Sequence, residues 1–579
     1  MNMNRNARLI LGLAGAAALL LSLIGTRFAT VQPAESYDLI IEHGQIVDGS
    51  GNPWFYSDVG VSGDRVARIG DLGLARAGRR IDATGMIVAP GFIDMLGQSE
   101  LNLLIDPRAE SKLFQGITTD VTGEGGSAAP LNDYAVKEIE PLLTHFKVTA
   151  DWRSLGDYFN RFERSRSAIN LATYVGATQV RQCILQDDNR PPTAFELQQM
   201  KNLVERAMQD GAVGISSALI YAPAFYAKTD ELIELARVAA KYGGTYATHM
   251  RNEGNSEMEA MDEAIKIGRE ARIPVEIFHL KVAGKQNWGN MAAVIKKIED
   301  ARAAGIDITA DQYPYTAGAT SLGASIPPWA HEGGTDQFIA RLRDPATRER
   351  LKREMRAASS QWENLFLGSG GGQGVLVCSV LNRSLSKYEG KRVSEIANMM
   401  GNSDEIDALM DLVIADRDQA GAIYFMMSED DVQLAMKQPW VSVGTDFGAT
   451  CTTGPLAEGR AHPRGYGSFP RILGHYVRDL KLMRLEDAIR KMTRLAANRV
   501  HLEGRGLLEA GAFADIVVFD PGQVRDLATY EDPNRPSIGM TYVIVNGQLE
   551  IDGGRQTAAL AGRPLKGQGR RTEEAPSSH

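Results

Sequence analysis

Two histidines stand at matched positions in the segment from Thr245 to Lys281. His249 ends a short strand-like run, a helical pattern follows, and His279 comes at the end of a second apolar run. A strand, a helix and a strand within about 35 residues form a βαβ unit, whose two strands are parallel. Both histidines therefore lie at one carboxyl edge of a sheet, the edge that carries the chemistry in α/β barrels. Because imidazole is a common metal ligand, this pattern predicts half of a metal site.

Length and composition narrow the class of protein that must position these histidines. A chain of 579 residues exceeds a single core, so two or three domains are expected. An apolar content of 44% with 23% charged residues is typical of a soluble globular protein. The net charge of −9, with no basic patch and no P-loop, argues against nucleic acid as a partner. The three cysteines are widely separated and predict neither disulfides nor a thiolate zinc site.

The N-terminus has the pattern of an export signal. Arg5 and Arg8 precede an apolar run from Leu9 to Ile24, and a linker containing Pro33 follows. At about 16 residues this run is short for a membrane span, although an uncleaved anchor remains an alternative. We interpret residues 1–36 as a signal peptide, or an N-terminal anchor, with its linker. We expect a periplasmic or secreted protein, in contact with a membrane only if the segment is uncleaved.

The rest of the chain divides by its hydrophobic pattern. Short strands punctuated by Gly and Asp occur in residues 37–88 and return in residues 505–560. Residues 89–504 alternate strand and helix, with a looser insertion at about 316–374. We therefore predict an α/β fold: a (β/α)8 TIM-like barrel, with a small β-sandwich domain built from both chain ends. Residues 561–579 are expected to form a disordered tail.

Several short motifs make the pattern specific. They are Pro90-Gly91-Phe92-Ile93-Asp94, Gly116-Ile117-Thr118-Thr119, Thr248-His249-Met250-Arg251, His279-Leu280-Lys281, Tyr313-Pro314-Tyr315, Gly444-Thr445-Asp446 and His462-Pro463-Arg464. With them the sequence resembles the amidohydrolase superfamily, and within it the D-aminoacylase (N-acyl-D-amino-acid deacylase) family. This resemblance covers nearly the whole chain after the export segment.

The resemblance implies zinc ligands at His249 and His279, but the expected metal site is incomplete. The family's His-x-His pair falls on Leu96-Gly97-Gln98, and its cysteine ligand falls on Gly125. Leucine cannot bind zinc, and a glutamine amide is a poor ligand. Glu124, next to Gly125, is our candidate third ligand; alternatively, it only forms a salt bridge near the site. We therefore expect one zinc ion, held by Glu124, His249 and His279.

The resemblance also assigns catalytic and binding roles. Asp446, at the end of the eighth strand, is expected to act as general base and then as general acid while a metal-activated water attacks the amide. Lys281 and Tyr313 match positions that hold the substrate's α-carboxylate. The family's assisting serine falls on Ala319, and Arg251 and Arg464 are candidates to replace it. Arg251 follows His249 by two residues and is therefore expected on the same side of the strand. The alternative for each arginine is a place on the surface or behind the residues that contact the substrate.

We conclude from the sequence that the chain is a zinc-dependent hydrolase of a small-molecule linear amide, with N-acyl-D-amino acids as the nearest substrate class. One alternative is a cyclic amide or dipeptide hydrolase. Another is a non-catalytic binding protein on a decayed amidohydrolase scaffold, for which Leu96 and Gln98 are the motive. The oligomeric state is unknown from the sequence.

Overall fold

The computed structural model describes residues 35–569. The export segment predicted at Leu9 to Ile24 lies outside this range. Among residues 35–569, no helix combines the length and apolar character needed to cross a membrane.

The centre of the molecule is a parallel barrel of eight short, buried strands. In chain order, barrel strands one to eight are Phe92–Asp94, Ile117–Thr122, Asn170–Thr173 with its continuation Val175–Gly176, Gly214–Ala218, Thr245–His249, Val275–Ile277, Ile308–Gln312 and Val441–Val443. Their ladders form two arcs that share the third strand, and every neighbouring pair is parallel. Met95 N donates to Val443 O at 3.1 Å and joins strand one to strand eight. The barrel predicted from the alternation of strand and helix is confirmed.

A buried lysine reinforces this closure. Lys112 Nζ lies 2.6 Å from Asp94 Oδ2 on strand one and 3.1 Å from Asp120 Oδ1 on strand two. It also donates to Thr445 Oγ1, beyond strand eight, at 2.9 Å. Two carboxylates and one ammonium, all fully buried, are tolerated because each is paired. The ammonium thus links three strands across the seam of the barrel.

Helices surround the barrel. They are Asp133–Phe146, Leu155–Ser165, Ala177–Leu185, Ala194–Asp210, Thr229–Ala240, Glu257–Ala271, Met291–Ala303, Glu429–Met436, Arg464–Arg471, Leu485–Met492 and Arg494–Arg499, with short helices at Asn102–Ile105 and Glu110–Leu113 and a π-helical stretch at Ile472–Asp479. The short helix Leu365–Gly368 belongs to the insertion before strand eight. Two of the surrounding helices begin with capping boxes, Ser154 with Asp157 and Thr193 with Glu196, which satisfy the first free amide groups. Glu257–Ala271 lies between barrel strands five and six, as the pattern in that segment predicts.

Both ends of the described chain build a second, nine-stranded sheet. Its strands are Ser36–Ile46, Phe55–Ser62, Arg65–Gly70, Arg76–Asp82 and Ile87–Pro90 from the N-terminal side, and Ile516–Phe519, Met540–Val545, Gln548–Asp552 and Arg555–Gln556 from the C-terminal side. The two sets join where Ile87–Pro90 pairs antiparallel with Ile516–Phe519. Val59, Val61 and Ile544 belong to a separate apolar core in this domain, so the β domain forms from both chain ends as predicted.

Between barrel strands seven and eight the chain forms an inserted unit. Its four-stranded sheet comprises Gly318–Ser321, Val375–Ser379, Lys391–Arg392 and Gly421–Tyr424, and its helices are Thr335–Arg343, Pro345–Arg356, Val393–Met400 and Glu405–Ala415. The inserted unit therefore extends beyond residue 374, to Tyr424. It contributes residues to the wall of the main cavity.

The disordered tail expected from residue 561 does not begin there. Leu565 N donates to Leu171 O at 2.7 Å, and Leu171 N donates to Arg563 O at 3.0 Å. Gly567 N donates to Gly211 O at 2.9 Å. Residues 561–569 therefore lie along the third barrel strand and the turn that precedes the fourth, and pair with their backbone groups. Residues 570–579 of the predicted tail lie outside the described residues.

Candidate metal centre

The predicted ligands converge at the carboxyl edge of the barrel. His249 is the last residue of strand five, His279 follows strand six, and Glu124 follows strand two. Asp446 follows strand eight. His279 and Asp446 have positive backbone φ angles of 38° and 50°, which side-chain-bearing residues rarely adopt. Such strained positions concentrate at functional sites, where the surrounding fold holds them.

Glu124 lies between the two histidines. Its Oε1 is 2.9 Å from Nδ1 of His249 and 3.0 Å from Nε2 of His279. One ligand atom from each residue lies within 4.8 Å of the other two. Two imidazoles and one carboxylate suit zinc, and three protein ligands leave a position open, as catalytic zinc sites do. The residues present therefore fit a single metal ion.

Glu253, which the sequence did not single out, lies behind both histidines. Its Oε1 is 3.1 Å from Nδ1 of His279, and its Oε2 is 3.3 Å from Nε2 of His249. The ring nitrogens that face Glu253 are those that do not face Glu124. A carboxylate behind a ligating imidazole fixes the ring's tautomer and orientation. The only hint in the sequence is a glutamate four residues after His249.

Gln98 joins the two carboxylates of the site. Its Nε2 donates to Glu124 Oε2 at 2.7 Å and to Asp446 Oδ1 at 2.8 Å. Leu96 instead is fully buried in the apolar cluster inside the barrel, with Ile93 and Val121. Of the two residues at the missing His-x-His positions, one is a core side chain and the other is a hydrogen-bond bridge.

Two cations and a phenol, from Lys281, Arg464 and Tyr313, lie beside the candidate metal ligands, after barrel strands six to eight. Lys281 Nζ is paired with Glu253 Oε2 at 2.6 Å. Arg464 Nη1 is 2.7 Å from Asp446 Oδ2, and its guanidinium lies 4.6 Å from the ring centre of Tyr313. Within residues 35–569, Nε of buried Arg464 has no hydrogen-bond partner. Lys281, Tyr313 and Arg464 all line the cavity, so this side of the site offers donors for an anionic group.

Arg251 is not brought together with the other candidate residues. Its guanidinium donates to Glu263, to Phe225 O at 2.9 Å and to Ala227 O at 3.0 Å. It is absent from the described residues that line the cavity. The structure gives Arg251 contacts that hold a neighbouring segment, and we leave it out of the proposed substrate site.

Burial and charge set the protonation of the acidic groups. Burial raises the pKa of Glu124, but hydrogen bonds with His249 and His279 outweigh it and hold the pKa well below the usual value. For Glu253, nearby His249 and Lys281 likewise outweigh burial and lower the pKa. Burial raises the pKa of Asp446 to about 6, although Arg464 opposes it. Among Glu124, Glu253 and Asp446, Asp446 is thus the acid whose pKa lies nearest to neutral pH.

One cavity of about 760 Å³ is lined by the three candidate ligands and by the polar residues around them. These residues are Glu124, His249, His279, Gln98, Glu253, Lys281, Tyr313, Asp446 and Arg464. The segments after barrel strands one to four and the inserted unit form most of the rest of its wall. Perturbed carboxylates, imidazoles and cations that converge in a large cavity are typical of an active site.

Comparison with known proteins agrees with this geometry. A family model described as "Amidohydrolase family" matches residues 79–549. The chain is 37% identical over 533 residues to a D-aminoacylase from Alcaligenes xylosoxydans xylosoxydans, covering 92% of this chain and 98% of that protein. The family model covers most of the chain, and the identity to this relative extends over nearly all of it, so membership of the amidohydrolase family is shown.

Two solved structures support the same relationship. A D-aminoacylase studied for its binuclear metal centre, with one-metal activation and second-metal attenuation, has a TM-score of 0.77 at 36% identity. An N-acyl-D-glutamate deacylase from Bordetella bronchiseptica, in complex with zinc and a phosphonate mimic of the tetrahedral intermediate, has a TM-score of 0.77 at 34% identity. Each match covers 92% of this chain and 100% of the other. The chain therefore belongs to the amidohydrolase family, as a divergent member of its D-aminoacylase branch.

Proposed function

We propose that this protein is a metal-dependent hydrolase that removes the acyl group from N-acyl-D-amino acids, using one zinc ion. The observation that carries the proposal is the cluster of Glu124, His249 and His279, with Asp446 nearby, in one cavity. Relatives with the same fold are deacylases of N-acyl-D-amino acids. The reaction is hydrolysis of a linear carbon–nitrogen bond outside a peptide chain.

Glu124, His249 and His279 would hold the ion, and Glu253 would keep both imidazoles in place. When bound, zinc lowers the pKa of water and polarises a carbonyl group, which are the two needs of amide hydrolysis. The ionised state of Glu124 suits this role, because a carboxylate must be deprotonated to bind a metal.

A single ion is supported by Gln98 and Leu96. The amide nitrogen of Gln98 donates to one oxygen of Glu124 and one oxygen of Asp446. A second cation would need these same oxygens as ligands. Leu96 is buried among apolar side chains and offers no donor atom. Because an amide N–H donor faces both carboxylates, it takes part of the role that a second cation would have, namely holding them together.

Asp446 would move the proton. Its two oxygens accept from Gln98 and pair with Arg464, and each oxygen keeps a lone pair free. It would take the proton from the attacking water and give it to the leaving nitrogen. Its pKa of about 6 suits both transfers, because proton exchange is most effective with a pKa near the working pH.

The amino acid part of the substrate would lie toward Lys281, Tyr313 and Arg464. Arg464 lines the cavity, and its contacts with Asp446 and Ala319 O use two of the five N–H groups of a guanidinium, so donors remain for the α-carboxylate. Both cations have an anionic partner, Glu253 for Lys281 and Asp446 for Arg464. The ammonium of Lys281 has only three N–H donors and already contacts both Glu253 and His279. We therefore assign Arg464 the main ionic contact and Lys281 a supporting one.

Metal content and hydrolysis test the proposal together. Purified protein should contain about one zinc per chain by elemental analysis, and His279→Ala should lose it. The protein should release free amino acid from N-acetyl-D-amino acids faster than from their L forms. Asp446→Asn should keep the metal and lose most of the activity, about 100-fold or more.

Each other result has a distinct meaning. Two metal ions per chain would refute the role assigned to Gln98. If folded protein purified from cells grown with zinc contains no metal, the hydrolytic mechanism would be overturned, and a binding protein on the same scaffold would be favoured. Metal without amide hydrolysis across D and L substrates would refute the substrate class.

We also propose that the protein is exported to the periplasm or secreted. The proposal is supported by the basic residues and apolar run before residue 25. Cell fractionation with N-terminal sequencing of the mature chain tests it. Recovery of the full-length chain in the cytosol would refute it, and full-length chain in the membrane fraction would show an uncleaved anchor.

A further inference from the structure

The cavity extends from the metal ligands into a region walled by apolar side chains. We call this region the apolar arm; its residues are Leu101, Leu131, Ile139, Leu142, Trp152 and Tyr158. Leu131, Trp152 and Tyr158 are buried, whereas Ile139 and Leu142 are half-buried. Ile139 and Leu142 are three residues apart on the helix Asp133–Phe146 and so share one of its faces. That face is open to the cavity.

The apolar arm lies on a defined side of the barrel. Leu101 follows strand one, Leu131 and the helix Asp133–Phe146 follow strand two, and Tyr158 lies before strand three. Lys281, Tyr313 and Arg464, in contrast, follow strands six, seven and eight. In an eight-stranded barrel, strands two and six lie opposite each other. The metal ligands thus separate a cationic side of the cavity from an apolar side.

The cavity is much larger than a short N-acyl amino acid requires. At about 30 Å³ for a water-sized group, 760 Å³ has room for roughly 25 such groups, whereas an N-acetylated amino acid has about 12 non-hydrogen atoms. Most of the exposed wall of the cavity is apolar, and the apolar arm contributes to it. Hydrocarbon is also the ligand chemistry that such a wall favours, because burial removes apolar surface from water on both partners.

We propose that the apolar arm binds the acyl chain of the substrate, and that the preferred substrates carry a long or bulky apolar acyl group. This inference rests on the proposed function. With the carboxylate held by Arg464 and the amide carbon beside the metal ligands, the acyl group is the part that points away from the cationic side. It therefore extends toward strands one to three, where the arm begins.

A series of N-acyl derivatives of one D-amino acid tests the proposal, from acetyl through hexanoyl to decanoyl, below the concentrations at which they form micelles. Each buried methylene contributes about fourfold to binding. We expect kcat/KM to rise along the series, by about 100-fold or more from acetyl to decanoyl. A flat or falling series would overturn the proposal without any variant being needed.

A double variant locates the effect. Ile139→Gln with Leu142→Gln makes the open helix face polar at half-buried positions, and the ratio of decanoyl to acetyl kcat/KM should fall at least about tenfold. Val136→Gln is the matched control, because Val136 is half-buried on the same helix and is not among the described residues that line the cavity. The control should keep the wild-type ratio. An unchanged ratio in the folded double variant would overturn the assignment to this arm.

Binding of decanoate separates this inference from the proposed function. If no amide in the series is hydrolysed, the proposed function fails, and calorimetry with decanoate still tests the arm. Decanoate that binds the wild type and binds the double variant at least about tenfold more weakly would support an apolar-chain site. Equal binding, or none to the wild type, would refute it.

Discussion

Replacement of Glu253 by glutamine should weaken the metal site without changing any ligand. The carboxylate of Glu253 lies 3.1 Å from His279 and 3.3 Å from His249, on the sides of the rings that face away from Glu124. Glutamine has nearly the same size, but its amide has no charge and offers one acceptor in place of two. Neither histidine would then have an anion on the side of its ring that faces away from Glu124.

The size of the effect follows from these contacts. Loss of a carboxylate that orients a metal-bound imidazole typically costs about 10- to 100-fold in metal affinity, or about 1.4 to 2.7 kcal/mol. Glu253 orients two imidazoles, so we expect the upper part of that range. Lys281 also loses its partner at 2.6 Å. An unpaired buried ammonium should lower the free energy of unfolding of the metal-free protein by about 3 kcal/mol or more.

The assay is zinc affinity, measured by competition with a chromophoric chelator, together with urea unfolding of the metal-free protein. Glu257→Gln is the matched control. Glu257 is also a buried glutamate, four residues further along, and burial raises its pKa well above the usual value. Its glutamine variant should therefore resemble the neutral wild-type side chain and keep the zinc affinity.

An unchanged zinc affinity in folded Glu253→Gln protein would refute the reasoning, because it would show that the imidazoles are fixed without the carboxylate. Equal losses in both variants would point instead to a general effect of packing in this segment.

Three further predictions follow from other contacts. Lys112→Met leaves Asp94 and Asp120 buried without their cation and should cost about 3 to 5 kcal/mol in urea unfolding; a loss below 1 kcal/mol would refute the role of the lysine in closing the barrel. Arg251→Met should lower the free energy of unfolding by about 1 to 3 kcal/mol and leave kcat/KM within about threefold, and a large rise in KM alone would instead place the arginine at the substrate. Removal of the metal with a chelator should lower Tm, and zinc at about 1,000 times its Kd should restore about 4 kcal/mol of stability; a Tm that does not respond to zinc would contradict a metal site formed only in the folded state.

Much of the fold could be predicted because its signals are local. Strand and helix periods place His249 and His279 on neighbouring parallel strands, and strand ends in a barrel share one edge. The two sets of short strands at the chain ends predict one domain, and the structure pairs them through Ile87–Pro90 and Ile516–Phe519.

Arg251 shows where local reasoning stops. The sequence placed it on the same side as His249, because alternate residues of a strand share a face. Strand five ends at His249, however, so the alternation does not continue to position 251. Its guanidinium turns instead to Glu263 and two backbone carbonyls. Where a strand ends is decided by the surrounding packing and is the least certain part of a sequence pattern.

The sequence by itself determined which residue types stand at the barrel edge: two imidazoles, Glu124 and Asp446, with Leu96 and Gln98 where two more histidines were expected. Only the tertiary structure decided what these residues do to one another. Gln98 bridges two carboxylates that are 26 and 348 positions away, and Glu253 reaches both histidines and Lys281. Such contacts depend on turn conformations and on loops from different strands meeting over the barrel, and neither leaves a periodic signal in the chain.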